Sequence, residues 1–325
     1  MGLSAETGPR QGVDQEVLDW LLDGDPAIRW QTMRDLQPDT PSATIARERS
    51  RVATDGWGAR ILALQGADGS WAGGACFPQG EHAHNLGEGQ PWIATLFSLA
   101  LLQAFGIDPS TPAVRSALQQ VHDNVNWEHG DEAYFDGEVE ECINGRTLSQ
   151  GAYFGFAVDD IVERLLAGQL TDDGWNCEPV EESRRSSFHS TINVLEGLLS
   201  YERSGGRLDV ADARRRAEDY FLDRRLMRRL STGEIVDASF LLASFPTYWY
   251  YDVLRGLEYF RAADRRDPRL AEAIDLIGRL RSPDGRWPLQ NTHPGTVHFP
   301  LEDGDGRPSR WNTLRSLRVL DWYAG

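Results

Sequence analysis

Gln65-Gly-Ala-Asp-Gly-Ser-Trp71, Gln169-Leu-Thr-Asp-Asp-Gly-Trp175 and Arg281-Ser-Pro-Asp-Gly-Arg-Trp287 are one phrase written three times. A stretch with helical apolar spacing leads into each: Ile61, Leu62 and Leu64; Ile161, Val162, Leu165 and Leu166; Ile274, Ile277 and Leu280. Asp-Gly makes a turn for a physical reason, because Gly takes the left-handed conformation that ends a helix without a steric penalty. The Trp that follows is placed to pack over that turn. Trp71, Trp175 and Trp287 are therefore expected to be buried over helix ends.

A second, more apolar helix follows each turn. Six such helices are predicted, beginning near Pro26, Pro91, Cys142, Ser187, Pro246 and Ser309. Three starts carry Pro near the first turn and two carry Ser as a cap. PWIATLFSLALLQAFG, SSFHSTINVLEGLLSY and SRWNTLRSLRVLDWY are examples, and polar helices such as ADARRRAEDYFLDRRL lie between them. Strand signals are nearly absent. Six hairpins of one polar and one apolar helix close into a ring with the apolar members inside. The expected fold is all-α, an (α/α)6 toroid formed as one domain by residues 14–325, after a flexible tail of residues 1–13. In such a ring the inner helices run parallel. Their N-termini and the Asp-Gly turns share one mouth, where six positive dipole ends favour anions, thiolates or a metal-bound anion.

Composition narrows the function. Of 325 residues, 40% are hydrophobic and 26% charged, the balance of a folded chain. The net charge of −17 repels phosphate backbones and argues against nucleic acid as the main partner. All 33 basic residues are Arg, which removes Schiff-base and P-loop lysine mechanisms. Three Cys without a short-range framework fit a reducing compartment. The N-terminal residues carry no apolar signal segment. The longest apolar stretch, Trp92–Phe105, is interrupted by Thr95, Ser98 and Gln103 and reads as a buried helix rather than a membrane span. A cytoplasmic protein with a small-molecule substrate is expected.

The Gln-x-x-x-Gly-x-Trp phrase, complete at Gln65, Gly69 and Trp71, resembles the repeat of squalene cyclases and protein prenyltransferases. DGWNCE, RRSSFHSTINVLEGLL, TYWYYDVLRGLEYF and PSRWNTLRSLRVLDWY look like small bacterial squalene-cyclase-like or prenyltransferase-like proteins. The resemblance covers roughly Trp20 to Trp322. It implies the terpenoid-cyclase type of α/α toroid and an isoprenoid-like substrate. The Asp-x-Asp-Asp acid of class II terpene cyclases is absent, its nearest pieces being Asp23-Gly-Asp25 and Asp303-Gly-Asp305. The chain also has room for one helical ring where full squalene cyclases have two helical domains. A literal squalene cyclase is therefore not expected.

Cys142 opens the third inner helix, Cys177 follows the second Trp turn, and His189 lies in the first turn of the fourth inner helix. All three map to the same mouth. Two thiolates and an imidazole with an open fourth position form the ligand set of a catalytic zinc. The alternative is that the thiols pack as small hydrophobes and the imidazole caps its helix. The resemblance adds that Glu140-x-Cys142 with His189 matches the acid-x-Cys and His pattern of protein prenyltransferases, and that lanthipeptide cyclases of this architecture use two Cys and one His. It thus implies zinc held by Cys142, Cys177, His189 and Glu140. Cys76, His82 and His84 form a second metal candidate, in a 76–90 loop placed to act as a lid. Asp159-Asp160-x-x-Glu163 mimics a magnesium motif but suits the start of a helix.

Aromatic residues cluster at inner-helix starts. Trp92, Trp249, Tyr251 and Trp311 are candidate walls of a pocket for apolar or cationic groups. Asp252, with Tyr250 beside it, is the candidate general acid or base, because a carboxyl among aromatic rings has a raised pKa; the alternative is a plain helix-start acid. Arg185 and Arg310, with Asn312, are candidates to hold a diphosphate or carboxylate. The function expected is zinc- or acid-assisted transferase, cyclase or lyase chemistry on an apolar substrate in the lumen. A polysaccharide lyase-like toroid and a non-catalytic binding protein that kept the ring are the alternatives.

Overall fold

The repeated phrase makes the same three bonds each time. The indole N–H of Trp71 donates to the carbonyl of Ile61, that of Trp175 to Leu165 and that of Trp287 to Ile277, each at 2.7 Å. The main-chain N–H of the same Trp donates to a Thr hydroxyl on the following inner helix: Thr95 (3.1 Å), Thr191 (3.0 Å) and Thr313 (2.9 Å). The residue at the head of the phrase ties back to the turn, Gln65 to the Gly69 carbonyl, Gln169 to that of Asp173 and Arg281 to that of Gly285. Trp71, Trp175 and Trp287 are 0–1% exposed, as expected. One detail differs. The left-handed residue is Gly69 (φ +83) and Gly285 (φ +81), but in the middle phrase it is Asp173 (φ +77), not Gly174. Gly174 is needed for space, because a Cβ there would lie 2.5 Å from the Thr191 hydroxyl.

A computed structural model describes residues 13–84, 86–178 and 184–325. Thirteen α-helices and no strand occur among the described residues: α1 (Gln15–Leu22), α2 (Pro26–Leu36), α3 (Ser42–Ser50), α4 (Gly56–Leu62), α5 (Thr95–Ala104), α6 (Pro112–Asn124), α7 (Glu141–Phe154), α8 (Asp159–Ala167), α9 (Phe188–Arg203), α10 (Ala211–Asp223), α11 (Val253–Ala262), α12 (Ala271–Arg279) and α13 (Arg310–Ala324). Of the expected tail of residues 1–13, residues 1–12 lie outside the described residues, and Val13 is half-buried against the core. No helix among the described residues is long and apolar enough to cross a membrane.

Burial separates the two rings. α8 buries the narrow stripe Ile161, Val162 and Leu165, and α12 buries only Ala273 and Ile277, as expected of outer helices. α9 buries residues all round, from Phe188 to Tyr201. α2, α5, α7, α9, α11 and α13 form the inner ring of an (α/α)6 toroid. Its closure is chemical as well as geometric. Arg318 of α13 donates to Gln31 (3.0 Å) and Asp35 (3.3 Å) of α2. Trp30 and Gln31 of α2 donate to the Phe105 and Ala104 carbonyls at the end of α5. α7 and α9 touch backbone to backbone: a Cβ on Gly145 would meet the Asn193 backbone at 2.6 Å, and one on Gly197 the Gly145 carbonyl at 2.5 Å.

Two inner helices start later than their Pro residues suggest. Pro91 and Trp92 belong to a loop, where the Trp92 N–H donates to Thr296 (2.8 Å), and α5 begins only at Thr95. Pro246 is followed by a loop in which Tyr248 has φ +48. The Arg255 guanidinium takes the carbonyls of Tyr248 and Tyr250, so these cannot serve a helix, and α11 begins at Val253 with Asp252 as its N-cap.

Replacing Trp175 by Ala is expected to destabilise the chain by roughly 3–5 kcal/mol, as for other buried aromatic truncations. Thr191→Val, which leaves the buried Trp175 N–H unpaired, is expected to cost about 1–3 kcal/mol. Urea unfolding of the two variants checks both, and a loss below about 0.5 kcal/mol in each would remove the turn from the fold's essential contacts.

Candidate active site

The centre of the ring is divided. Leu101, Phe245, Pro246 and Tyr248 line two chambers, one on either side of them. The chamber toward the inner-helix N-termini measures about 560 Å³ and is walled by Trp92, Tyr248, Phe245 and Phe299, with Leu289 and Leu301. The other, of about 330 Å³, lies along the later turns of the inner helices, and its wall carries a cluster of charged side chains among aromatic and aliphatic ones.

Glu302, His298 and His293, all from the loop that leads into α13, line the apolar chamber, and exposed Asp303 borders it. Glu302 is oriented by that helix start: its Oε1 accepts from the Ser309 hydroxyl (2.6 Å) and the Trp311 N–H (3.2 Å). Burial pushes its carboxyl up to about 6, against the opposing pull of those hydrogen bonds and of Arg310. His298 pairs through Nε2 with the Ser98 hydroxyl at 2.8 Å, and burial holds its pKa down to about 4. His293 stacks on Tyr250 with ring centroids 4.1 Å apart. Its pKa is also held down to about 4, by burial first and then by His189 and Arg255. The buried Nε2 of His293 has no hydrogen-bond partner among the described residues. Trp92 stacks face to face on Tyr248 at 4.0 Å and donates its indole N–H to the Pro294 carbonyl. The chamber thus offers one largely buried carboxyl that is part neutral near pH 6, two uncharged imidazoles and an aromatic wall. The sequence reading missed all three groups. Their signal was a Pro/Gly-bearing loop, NTHPGTVHFPLED, set directly before the sixth inner helix.

A second cluster lies beside this chamber. Ligand atoms of Glu140, Cys142 and Cys177 all lie within 4.8 Å of one another. Cys177 Sγ accepts from the Cys142 N–H in the first turn of α7 (3.2 Å) and lies 3.3 Å from the Ser190 hydroxyl. The two thiols share a hydrogen bond that holds Cys177 below and Cys142 above the ordinary thiol value. Cys142 also borders a narrow crevice lined by Trp249, whose ring meets Trp92 edge-on at 4.8 Å.

No family model matches the chain, and no curated protein matches it. Among solved structures it is similar to the type II terpene cyclase MstE from Scytonema without ligand, with TM-score 0.41 and 13% identity over 92% of this chain and 86% of that one. It is also similar to a variant of that cyclase in complex with its substrate geranylgeranyl dihydroxybenzoate, with TM-score 0.42 and 14% identity over the same shares.

The structure sorts the expected site residues. Trp92 lines the apolar chamber and Trp311 the charged one. Glu140, Cys142 and Cys177 come together, but His189 does not join them. Its Nδ1 accepts from the Tyr251 N–H at 2.8 Å, and the neighbouring Ser190, one helical step of about 100° away, faces Cys177 instead. Asp252 is 2% exposed and lines neither chamber; its carboxylate accepts from the N–H groups of Arg255 and Ser244, so it caps α11 rather than meeting a substrate. Tyr250 stacks on His293 behind the chamber wall, and Tyr251 is buried with its hydroxyl on the Leu226 carbonyl. Arg185 is exposed before α9, and Arg310 packs on Trp20 and donates to its carbonyl. Asn312 is buried and ties the Ala243 and Pro288 carbonyls together. Cys76 is buried with its amide on Glu128, while His82 and His84 are exposed on the surface; Asn85 of the expected lid loop lies outside the described residues. Asp159 pairs with Arg207 and Tyr201 at the start of α8.

The Glu302 shift has a stability consequence with a definite sign. The folded value of about 6 lies above the ordinary 4.5, so the group's contribution is complete below pH 4.5 and is lost as pH climbs through about 6. Relative to Glu302→Gln, the wild type is expected to lose about 1–2 kcal/mol between pH 4.5 and pH 7. Urea unfolding of both proteins across that range measures the difference, and parallel curves would show an unshifted carboxyl.

Proposed function

We propose that the chain is an enzyme that performs general acid–base chemistry on a small, largely apolar, isoprenoid-like substrate in the apolar chamber, with Glu302 transferring the proton. The observation that carries this reading is a largely buried carboxyl, fixed by Ser309 and the Trp311 N–H, lining a chamber whose wall is mainly aromatic and aliphatic, with His293, His298 and an exposed Asp303 beside it. The volume of about 560 Å³ falls within the roughly 300–1,000 Å³ of small-molecule sites. A carboxyl raised to about 6 is a weaker acid than an ordinary one. Protonating an isolated alkene asks for a strong acid. A group poised near 6 instead suits proton delivery to an oxygen or removal of a proton next to an activating group. The reading therefore favours lyase or isomerase chemistry over polyene cyclisation. The neutral His298–Ser98 pair and the unpartnered His293 Nε2 offer hydrogen-bonding positions for a polar end of the substrate. The stacked Trp92 and Tyr248 supply a π-face for its apolar body or for developing positive charge.

The same reading assigns zinc to Glu140, Cys142 and Cys177, a carboxylate and two thiols whose chemistry and spacing fit that ion with a position left for a further ligand. Zinc held by such a set acts as a Lewis acid toward a bound oxygen. The reading places the enzyme in a reducing compartment, the cytoplasm, where this thiol pair stays reduced.

Glu302→Gln is expected to leave binding of farnesol, read by tryptophan fluorescence, within about threefold of wild type while reducing turnover by about 10²–10⁴-fold. Turnover is measured on a panel of isoprenoid alcohols, ketones and acids by gas chromatography and mass spectrometry. Binding without turnover anywhere on the panel would leave a non-catalytic binding protein; absence of binding would sink the reading altogether. Elemental analysis of the purified chain is expected to give about one zinc per molecule, lost in Cys142→Ser and Cys177→Ser and kept in His189→Gln. A metal-free wild type, or zinc kept without the thiols, would remove the metal assignment.

A further inference from the structure

The charged half of the lumen does not balance its charges. Arg146 of α7, Arg255 of α11 and Arg315 and Arg318 of α13 line it with Glu196 of α9 and Glu258 of α11. Arg203 and Arg261, in the last turns of α9 and α11, complete the lining, and exposed Arg203 and Ala104 mark its opening at the C-terminal ends of the inner helices. Six guanidinium groups thus meet two carboxylates, 6 − 2 = 4 positive charges in excess. Asp35, 3.3 Å behind Arg318 but also bound by Arg34, and the buried Asp252, which acts on Arg315, lower the excess without closing it. This excess lies inside a chain whose net charge is −17.

Part of this wall is structural. Arg255 binds both oxygens of Glu196, with Nε at 2.8 Å and Nη2 at 2.7 Å, and also Asn193, and Arg318 binds Glu258, Gln31 and Asp35 in closing the ring. Two members are less engaged. Their hydrogen bonds go mainly to neutral acceptors, Arg146 to the Tyr248 carbonyl and Arg315 to the Ser244 carbonyl (2.8 Å), while their carboxylate contacts are long, Arg146 to Glu196 at 3.4 Å and Arg315 to Glu258 at 3.8 Å. Burial and the neighbouring Arg255 hold Arg146 down to about 10, the behaviour of a cation short of negative partners. An independent observation points the same way. Trp311, 2% exposed, lines this chamber, and its indole N–H has no hydrogen-bond partner among the described residues.

We propose that this chamber is a binding site for a compact phosphate anion, a phosphate or diphosphate group, held by Arg146 and Arg315 with the Trp311 N–H and admitted past Arg203 and Arg261. Guanidinium pairs match the geometry of phosphate oxygens, and a multiply charged anion offsets the excess of positive charge. The site is separate from the apolar chamber and does not rest on proton transfer at Glu302.

Calorimetry and thermal unfolding of the full chain with sodium diphosphate and sodium phosphate, against sodium chloride at equal ionic strength, test it. Saturable binding of diphosphate or phosphate is expected, with a rise in Tm that chloride does not give. Arg146→Gln is expected to weaken the binding by about tenfold or more, the loss of one charge-assisted contact. Glu302→Gln is expected to leave it unchanged. A Tm rise equal to that from chloride, or full affinity in Arg146→Gln, overturns the proposal. If Arg146→Gln fails to fold, the rim variant Arg203→Gln/Arg261→Gln decides the matter: weakened binding supports the site and unchanged affinity overturns it.

Discussion

The indole N–H of the turn Trp, donated to a carbonyl ten residues earlier, is the bond on which the ring depends. It fastens the turn to the end of an outer helix, while the main-chain N–H of the same Trp reaches a Thr on the next inner helix. One buried residue thereby joins three elements. Each Trp withdraws a large apolar surface from water, its indole N–H pairs with a carbonyl at the end of an outer helix, and its own main-chain N–H is satisfied by the Thr hydroxyl. The three clamps serve α5, α9 and α13, alternate members of the inner ring. The members between them carry Cys142 and Arg146 on α7 and Arg255 on α11. Those helices are positioned by packing and by guanidinium bonds to carbonyls, such as those of Arg146 and Arg255 to Tyr248.

This division explains what could be read from the residues. The clamps join neighbouring elements, with indole bonds spanning ten residues and Thr bonds 16 to 26, and each is announced by a repeated turn phrase, so the toroid was legible in its sequence. The starts of α5 and α11 were not, because long-range partners decide them: Thr296 takes the Trp92 N–H, and Arg255 takes the Tyr248 and Tyr250 carbonyls. The thiol pair was legible because one member opens an inner helix and the other ends the adjoining turn. His189 was misplaced by one helical position, which rotates a side chain by about 100° and turns it from Cys177 toward Tyr251. The lumen charges were hidden for another reason. Arg255, Glu258 and Arg261, or Arg315 and Arg318, repeat every three residues, and that spacing also describes a solvated helix face. Only ring closure shows that the face points inward.

The two chambers meet at Tyr248, and their walls depend on each other there. Tyr248 holds φ +48, a conformation that costs a non-Gly residue roughly 1–2 kcal/mol. It is held from both sides. Its ring stacks on Trp92 at 4.0 Å with the planes 6° apart, within the aromatic wall of the apolar chamber. Its carbonyl accepts from Arg146 and from Arg255, both in the charged chamber. The partition is thus built from one residue whose two ends belong to different chambers, its ring to the aromatic wall and its carbonyl to the guanidinium cluster.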